Sequence, residues 1–268
     1  MSIGIGFIGA GKMAEALIGG LIAKGVYSKD KIIACAPSQK TRDHISAAYG
    51  IKVYDKAADV VDRTDLIVLA VKPKNVPGIF EEEGVVIGKG KTVLSIVAGL
   101  SLEKMDRYVP DAKKVRAMPN HCCMVLECAT GYTCDPTMTD KDKETINKIL
   151  SSVGLAVEIP ENQMEAVTGI AGSSPAFMYM VIDAMADAGV LNGLTRDQAV
   201  KLAAQSMLGS AKMVLETGKH PDQLKDEVCS PGGTTIVGVK ILEDLGMRSA
   251  MSSAVDGTIQ RALEMKKQ

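Results

Sequence analysis

The sequence predicts an α/β unit on a doubly wound, mostly parallel sheet, followed by an all-helical unit. Three observations carry this. Short β-rich runs alternate with helical patterns through residue 160, a glycine-rich turn joins the first strand to the first helix, and beyond Pro160 the chain reads as helix after helix. At 268 residues the chain is long enough for two medium domains of about 150 residues or fewer, expected at 1–160 and 161–268.

Ile3 to Ile8 reads as the first strand and Met13 to Ala23 as the helix after it. Lys31 to Ala36 is the second strand, Thr41 to Tyr49 a helix and Lys52 to Tyr54 a short third strand. Leu66 to Val71 is a continuous apolar run stopped by Lys72-Pro73, as in a strand buried on both faces of a parallel sheet. Thr92 to Val97 repeats that pattern and stops at Ala98-Gly99. Lys114 to Met118 and Ala129 to Thr133 are further strands, followed by a helix from Lys141 to Ser152 and a last strand from Ala156 to Ile159.

In the second half, Ser174-Pro175 predicts an N-cap and a proline at the first helical position, with Phe177, Met180, Val181, Ala184 and Ala188 at helical spacing. Thr195 and Gln198 form a capping box for a long helix ending near Gly218. The small residues Ala203, Ala204, Gly209, Ser210 and Ala211 allow close helix approach, either within a self-contained bundle or against a second copy of the chain.

Composition narrows the function classes. A net charge of −1, with no Lys/Arg cluster interleaved with aromatics, argues against a nucleic-acid partner. No apolar run approaches the ~18 residues of a membrane span, and no secretory leader precedes the first strand, so a cytoplasmic protein with reduced cysteines is expected. Cys122, Cys123, Cys128 and Cys134 cluster, but their spacing matches no metal-site pattern, and buried small hydrophobes are the simpler reading.

Gly9-Ala10-Gly11-Lys12-Met13-Ala14 matches GxGxx(G/A) directly between a strand, which ends at Ile8, and a helix. The glycines permit a tight turn and a close approach of backbone N–H groups to a pyrophosphate at a helix N-terminus. Such a site specific for NAD usually carries an acidic residue at the end of the second strand. Here that stretch is Ala36-Pro37-Ser38-Gln39-Lys40-Thr41-Arg42, in which Ser38, Lys40 and Arg42 are each able to donate to a 2′-phosphate. NADP(H) is therefore expected in preference to NAD(H). Ligands of such sheets bind beyond the carboxyl ends of the strands, so Ala70, Val71, Lys72 and Pro73, with Val97, Ala98 and Gly99, are expected to line the nicotinamide side, joined by Asn120.

A second distinctive segment runs Leu224-Lys225-Asp226-Glu227-Val228-Cys229-Ser230-Pro231-Gly232-Gly233-Thr234-Thr235 into a helical pattern. Free N–H groups and hydroxyls ahead of a helix suit a small carboxylate, and a plain capped loop has the same look.

With these segments in view, the whole chain resembles the pyrroline-5-carboxylate reductase family. The resemblance rests on Phe7 to Met13, on Ala70-Val71-Lys72-Pro73, on Ala166-Val167-Thr168-Gly169-Ile170-Ala171-Gly172-Ser173-Ser174-Pro175-Ala176 and, most specifically, on residues 224–235. It implies a Rossmann domain followed by a helical dimerisation domain, with an active site between one subunit's coenzyme and the helical domains of the dimer. It also implies hydride transfer to the C=N carbon of 1-pyrroline-5-carboxylate, giving L-proline. By the same resemblance Thr235 lies at the ring nitrogen as the catalytic hydroxyl, while Ser230, Gly232, Gly233 and Thr234 hold the substrate carboxylate. A homodimer is implied, and assembly into decamers is common in the family.

Two departures stand out. His121-Cys122 replaces the usual Thr-Pro after Met118-Pro119-Asn120, and Ser174 replaces a glycine, where it is expected still to cap the helix. A β-hydroxyacid-type dehydrogenase is disfavoured, since no lysine stands in the stretch Ser173 to Phe177, where that family carries its catalytic one. A nucleotide sensor without turnover would have no need of the loop Ser230 to Thr235.

Overall fold

The computed structural model describes residues 4–267, so Ile3, the expected start of the first strand, lies outside the described residues. The chain divides into two compact units. One contains the residues up to Gly172 together with those from Ile259 onward, and the other contains Ser173–Thr258.

The first unit is built on eight strands: β1 (Ile5–Ile8), β2 (Ile32–Cys35), β3 (Lys52–Tyr54), β4 (Leu66–Leu69), β5 (Thr92–Ser95), β6 (Lys113–Met118), β7 (Cys128–Cys134) and β8 (Gly154–Glu158). They form one sheet in the order β3-β2-β1-β4-β5-β6-β7-β8. All neighbours pair in parallel except β6 and β7, which are antiparallel with Ala117 opposite Tyr132. The order reverses between β1 and β4, which creates a crevice at the carboxyl ends of those strands. β1 and β2 are buried along their whole length, as the uninterrupted apolar runs require.

Helices of this unit are α1 (Lys12–Ala23), α2 (Gln39–Tyr49), α3 (Ala57–Val61), α4 (Leu102–Asp106), α5 (Asp140–Leu150) and α6 (Met164–Val167). One apolar core gathers Phe7, Leu17, Ile18, Leu21, Val68, Leu94 and Ile149 on one face of the sheet. A second, around Ile8, Val60, Ile67, Leu69, Val93 and Met105, fills the other. The layered, two-core arrangement is the doubly wound fold that the alternating pattern predicts.

β8 ends at Glu158, close to the boundary expected at 160, yet the first compact unit runs on to Gly172. The cause is local packing. A side chain at Gly131 of β7 would collide with Val167 at 2.6 Å, so α6 sits directly on the strand. Arg116, buried on β6, pairs with Glu161 at 2.8 Å and Glu165 at 3.3 Å, and Lys266 reaches the same Glu165 oxygen at 3.3 Å. Burial pushes the Glu165 carboxyl up, but the charges of Arg116 and Lys266 overcome it and hold the group below its ordinary value.

The second unit contains α7 (Ser174–Leu191), α8 (Arg196–Thr217), α9 (Pro221–Glu227), α10 (Thr234–Asp244) and the first part of α11 (Met247–Lys267). The Thr195/Gln198 capping box forms as expected, and Gly218 closes α8 in the left-handed conformation. The expected cap of α7 is corrected. Ser174 is already the first helical residue, Ser173 precedes it with helical backbone, and no side chain caps the end. The helix instead continues from a π-type turn at Thr168–Gly172, so no extended residue is available to serve as a cap. Tyr179, Met180, Leu191, Leu202, Leu208 and Leu215 are all exposed, so much of this unit's apolar surface is uncovered in one copy of the chain.

Candidate active site

Gly9 follows β1 with φ +96°, and a Cβ there would stand 2.5 Å from the Ala70 carbonyl oxygen. Only glycine allows the chain to turn this close to the end of β4. Gly11 precedes α1 with no side-chain cap, and the space where its Cβ would project is open. The turn therefore leaves a cradle and a set of uncapped helix N–H groups, the environment that a pyrophosphate needs. Ala10 is buried, Lys12 pairs with Glu15 at 3.1 Å and points to solvent, and Met13 Sδ meets Cys123 Sγ at 3.1 Å.

A cavity of about 390 Å³ opens beside this turn, lined by Ile8, Gly9, Cys35, Pro37, Asp55, Val71 and Lys74 among others. A second, of about 340 Å³, lies beyond β4 and β5 against Pro73, Val97, Ala98, Gly99 and Leu100. Of the residues expected here, Pro73, Val97, Ala98 and Gly99 are gathered on one wall, Val71 lines the first cavity instead, and Ala70 and Lys72 line neither. Lys72 precedes a short 3₁₀ turn at Pro73–Asn75 and is exposed.

The three residues expected at a 2′-phosphate differ in what their side chains do. Ser38 precedes α2 without capping it, leaving its hydroxyl exposed. Lys40 is exposed. Arg42 is turned back on its own strand end, donating to the Ala36 carbonyl at 2.8 Å and the Pro37 carbonyl at 2.7 Å. Asp55, just after β3, lines the same cavity and was not foreseen. The signal was present, since the third strand of a parallel sheet also delivers its carboxyl end to the crevice.

Asn120, beyond β6, is buried. Its Oδ1 accepts from the N–H of Cys122 at 3.1 Å and of Ala129 at 3.4 Å, and its Nδ2 donates to the Ala171 carbonyl at 3.0 Å. The side chain is therefore committed to backbone groups. Cys123 and Cys128 are buried beside it, and no group of ligating side chains able to hold a metal occurs among the described residues. A hydrogen bond from Cys123, with others from Thr130 and the Asn120 N–H, holds the Cys128 thiol below the ordinary cysteine value against the effect of burial.

In the second unit, Ser230 to Gly233 form a tight turn closed by the Gly233 N–H donating to the Ser230 carbonyl at 3.0 Å. Gly232 takes φ +70°, a left-handed backbone that favours glycine, and a Cβ on Gly233 would crowd the Ser230 hydroxyl and stand 3.2 Å from the Ser230 carbonyl oxygen. Thr234 and Thr235 open α10, which has no side-chain cap, and both are exposed. The loop therefore presents hydroxyls and uncapped N–H groups to its surroundings.

A dinucleotide turn on a doubly wound sheet, two cavities at the carboxyl ends of its strands and an uncapped Ser/Gly/Thr loop define a nicotinamide-dinucleotide oxidoreductase of the Rossmann-plus-helical type. Comparison with known proteins narrows the class. Residues 161–265 match the family described as pyrroline-5-carboxylate reductase dimerisation, and residues 4–99 match NADP oxidoreductase coenzyme F420-dependent. A pyrroline-5-carboxylate reductase of Methanosarcina acetivorans is 43% identical over 98% of each chain. The solved reductase of Coxiella burnetii superposes with a TM-score of 0.92 at 31% identity, covering 98% of both chains. A Plasmodium falciparum pyrroline carboxylate reductase with NADP bound superposes at 0.83, with 31% identity and the same coverage. The chain belongs to the pyrroline-5-carboxylate reductase family.

Proposed function

We propose that this protein reduces 1-pyrroline-5-carboxylate to L-proline with NADPH, the last step of proline synthesis. The observation that carries the reading is the intact Ser230-Pro231-Gly232-Gly233-Thr234-Thr235 turn at the start of α10, held in shape by its two glycines. In a chain of this family, that loop is a carboxylate holder.

Bound NADPH supplies a hydride equivalent. The chain's own contribution is to hold the reactants. The Gly9–Gly11 turn and the α1 N-terminus take the pyrophosphate, with Lys12 and Met13 at the rim. Residues Ala70 to Pro73 and Val97 to Gly99 wall the nicotinamide side. The N–H and O–H donors of Ser230, Gly232, Gly233 and Thr234 bind the substrate carboxylate. The Thr235 hydroxyl bonds the ring nitrogen and helps to deliver its proton, since an iminium accepts hydride far better than a neutral imine. No strong general base is needed, and most of the rate then comes from keeping donor and acceptor in register.

We read residues 1–160 as the coenzyme domain and 161–268 as the helical, dimer-forming domain. The exposed apolar residues on α7 and α8 support a homodimer, and a decamer is the larger assembly built from such dimers. No helix among the described residues is long and apolar enough to cross a membrane, and we place the enzyme in the cytoplasm. The test is to follow NADPH absorbance on addition of 1-pyrroline-5-carboxylate. Substrate-dependent loss of absorbance with proline formed in equal amount supports the reading, and no turnover with NADPH or NADH overturns it.

A further inference from the structure

Three features of the adenosine side of the crevice bear on which coenzyme this chain accepts. First, Asp55 follows β3 directly, and the Ala36 N–H donates to the Tyr54 carbonyl at 3.0 Å, so the ends of β2 and β3 are bonded side by side where the cavity begins. Second, Asp55 lines that cavity and has no hydrogen-bond or ion-pair partner among the described residues, so its carboxylate oxygens are open to accept. Third, the charged lining is unbalanced. Asp55, Glu82 and Glu83 face a single cation, Lys74. The negative field reaches the strand itself: burial first, then the charges of Glu83, Asp59 and Asp55, push the Cys35 thiol up to about 11. The strongest cation at the end of β2, Arg42, is meanwhile held against the carbonyls of Ala36 and Pro37.

We propose that Asp55 sets the coenzyme preference of this chain: its carboxylate accepts hydrogen bonds from the adenosine ribose hydroxyls, so that NADH is used alongside NADPH. A carboxylate accepts two hydroxyl donors well and repels a phosphate dianion. It therefore does from the third strand what an acidic residue at the end of the second does in sites specific for NAD. Ser38 and Lys40, exposed just after Pro37 of the cavity lining, remain to serve a 2′-phosphate. The inference rests on the coenzyme site proposed above and not on the identity of the reduced substrate.

The test separates those two readings. Binding of adenosine 5′-monophosphate and adenosine 2′,5′-bisphosphate to the full-length protein is measured by calorimetry, for the native chain and for Asp55→Asn. Asp55 is exposed at a strand end, and a ratio of two affinities is independent of the fraction of protein folded. The substitution is expected to shift that ratio toward the bisphosphate by about 10- to 100-fold, the scale of one hydrogen bond to a charged group. The NADPH-to-NADH ratio of kcat/KM should move in the same direction. An unchanged affinity ratio in Asp55→Asn overturns the proposal. Absence of turnover with 1-pyrroline-5-carboxylate, with the affinity ratio shifted, would count against the proposed reaction and leave the role of Asp55 standing.

Discussion

The side-chain amide of Asn120 donates to the carbonyl of Ala171 at 3.0 Å, tying the loop after β6 to the π-type turn that precedes α7. With its other oxygen bonds to Cys122 and Ala129, Asn120 fixes three backbone segments at once. Asn120→Ala leaves two N–H groups and one carbonyl without this partner, and should lower stability by about 2–3 kcal/mol. Urea denaturation reads this as a lower midpoint at constant slope. An unchanged midpoint accompanied by lost NADPH affinity would instead make Asn120 a direct coenzyme contact.

Gly9→Ala meets two obstacles, a positive φ of +96° and a carbonyl oxygen 2.5 Å from the new methyl group. Left-handed backbone alone costs a residue with a Cβ about 1–2 kcal/mol. The turn must also open, so the expected result is loss of both stability and NADPH binding, measured by thermal melting and coenzyme titration. Native coenzyme affinity in this variant would remove the turn from the pyrophosphate site.

Arg116 and Glu165 are both buried, and Arg116→Met strands a carboxylate whose other partner is Lys266. Breaking such a pair from one side costs about 3–5 kcal/mol. The pH dependence follows from the direction of the Glu165 shift. Its folded-state value is depressed below the ordinary 4.5, so its contribution is full above the ordinary carboxylate range and is lost as pH falls through the depressed value. The stability gap between the native chain and Glu165→Gln should therefore narrow on acidification below about pH 4. A gap independent of pH would mean that Glu165 titrates alike in the folded and unfolded chains, so that its ion pairs with Arg116 and Lys266 contribute nothing to stability.

Thr235→Ala removes a hydroxyl from the first turn of α10, a helix that no side chain caps. The variant should lose kcat/KM for 1-pyrroline-5-carboxylate by about 100-fold or more, as for a lost proton-handling group, with NADPH affinity unchanged. A parallel loss of coenzyme binding would place the residue elsewhere.

How much of this was legible in the sequence follows from the range of the interactions involved. The Gly9–Gly11 turn and the Thr195/Gln198 box depend on neighbours within a few residues, and both stand as read. The apolar runs at β4 and β5 marked buried strands, though each strand ends two residues early because the chain leaves the sheet to form the crevice wall. The cap expected at Ser174 failed because the preceding π-type turn keeps the backbone helical, which no local residue preference announces. The short helices α3 and α4, five residues each, span little more than one turn and so have no repeat to display. The Arg116–Glu165 pair was hidden for a different reason, since it exists only once α6 packs on a strand nearly fifty residues earlier in the chain. Asp55 was within reach of the strand pattern, because β3 delivers its carboxyl end to the same crevice as β2.

The central claim, direct hydride delivery to the C=N carbon, is tested by supplying NADPH with deuterium at both C4 positions together with 1-pyrroline-5-carboxylate and analysing the product by mass spectrometry and NMR. The account predicts L-proline carrying one deuterium, at the δ-carbon of the ring. Proline free of deuterium, or deuterium at any other position, would contradict it.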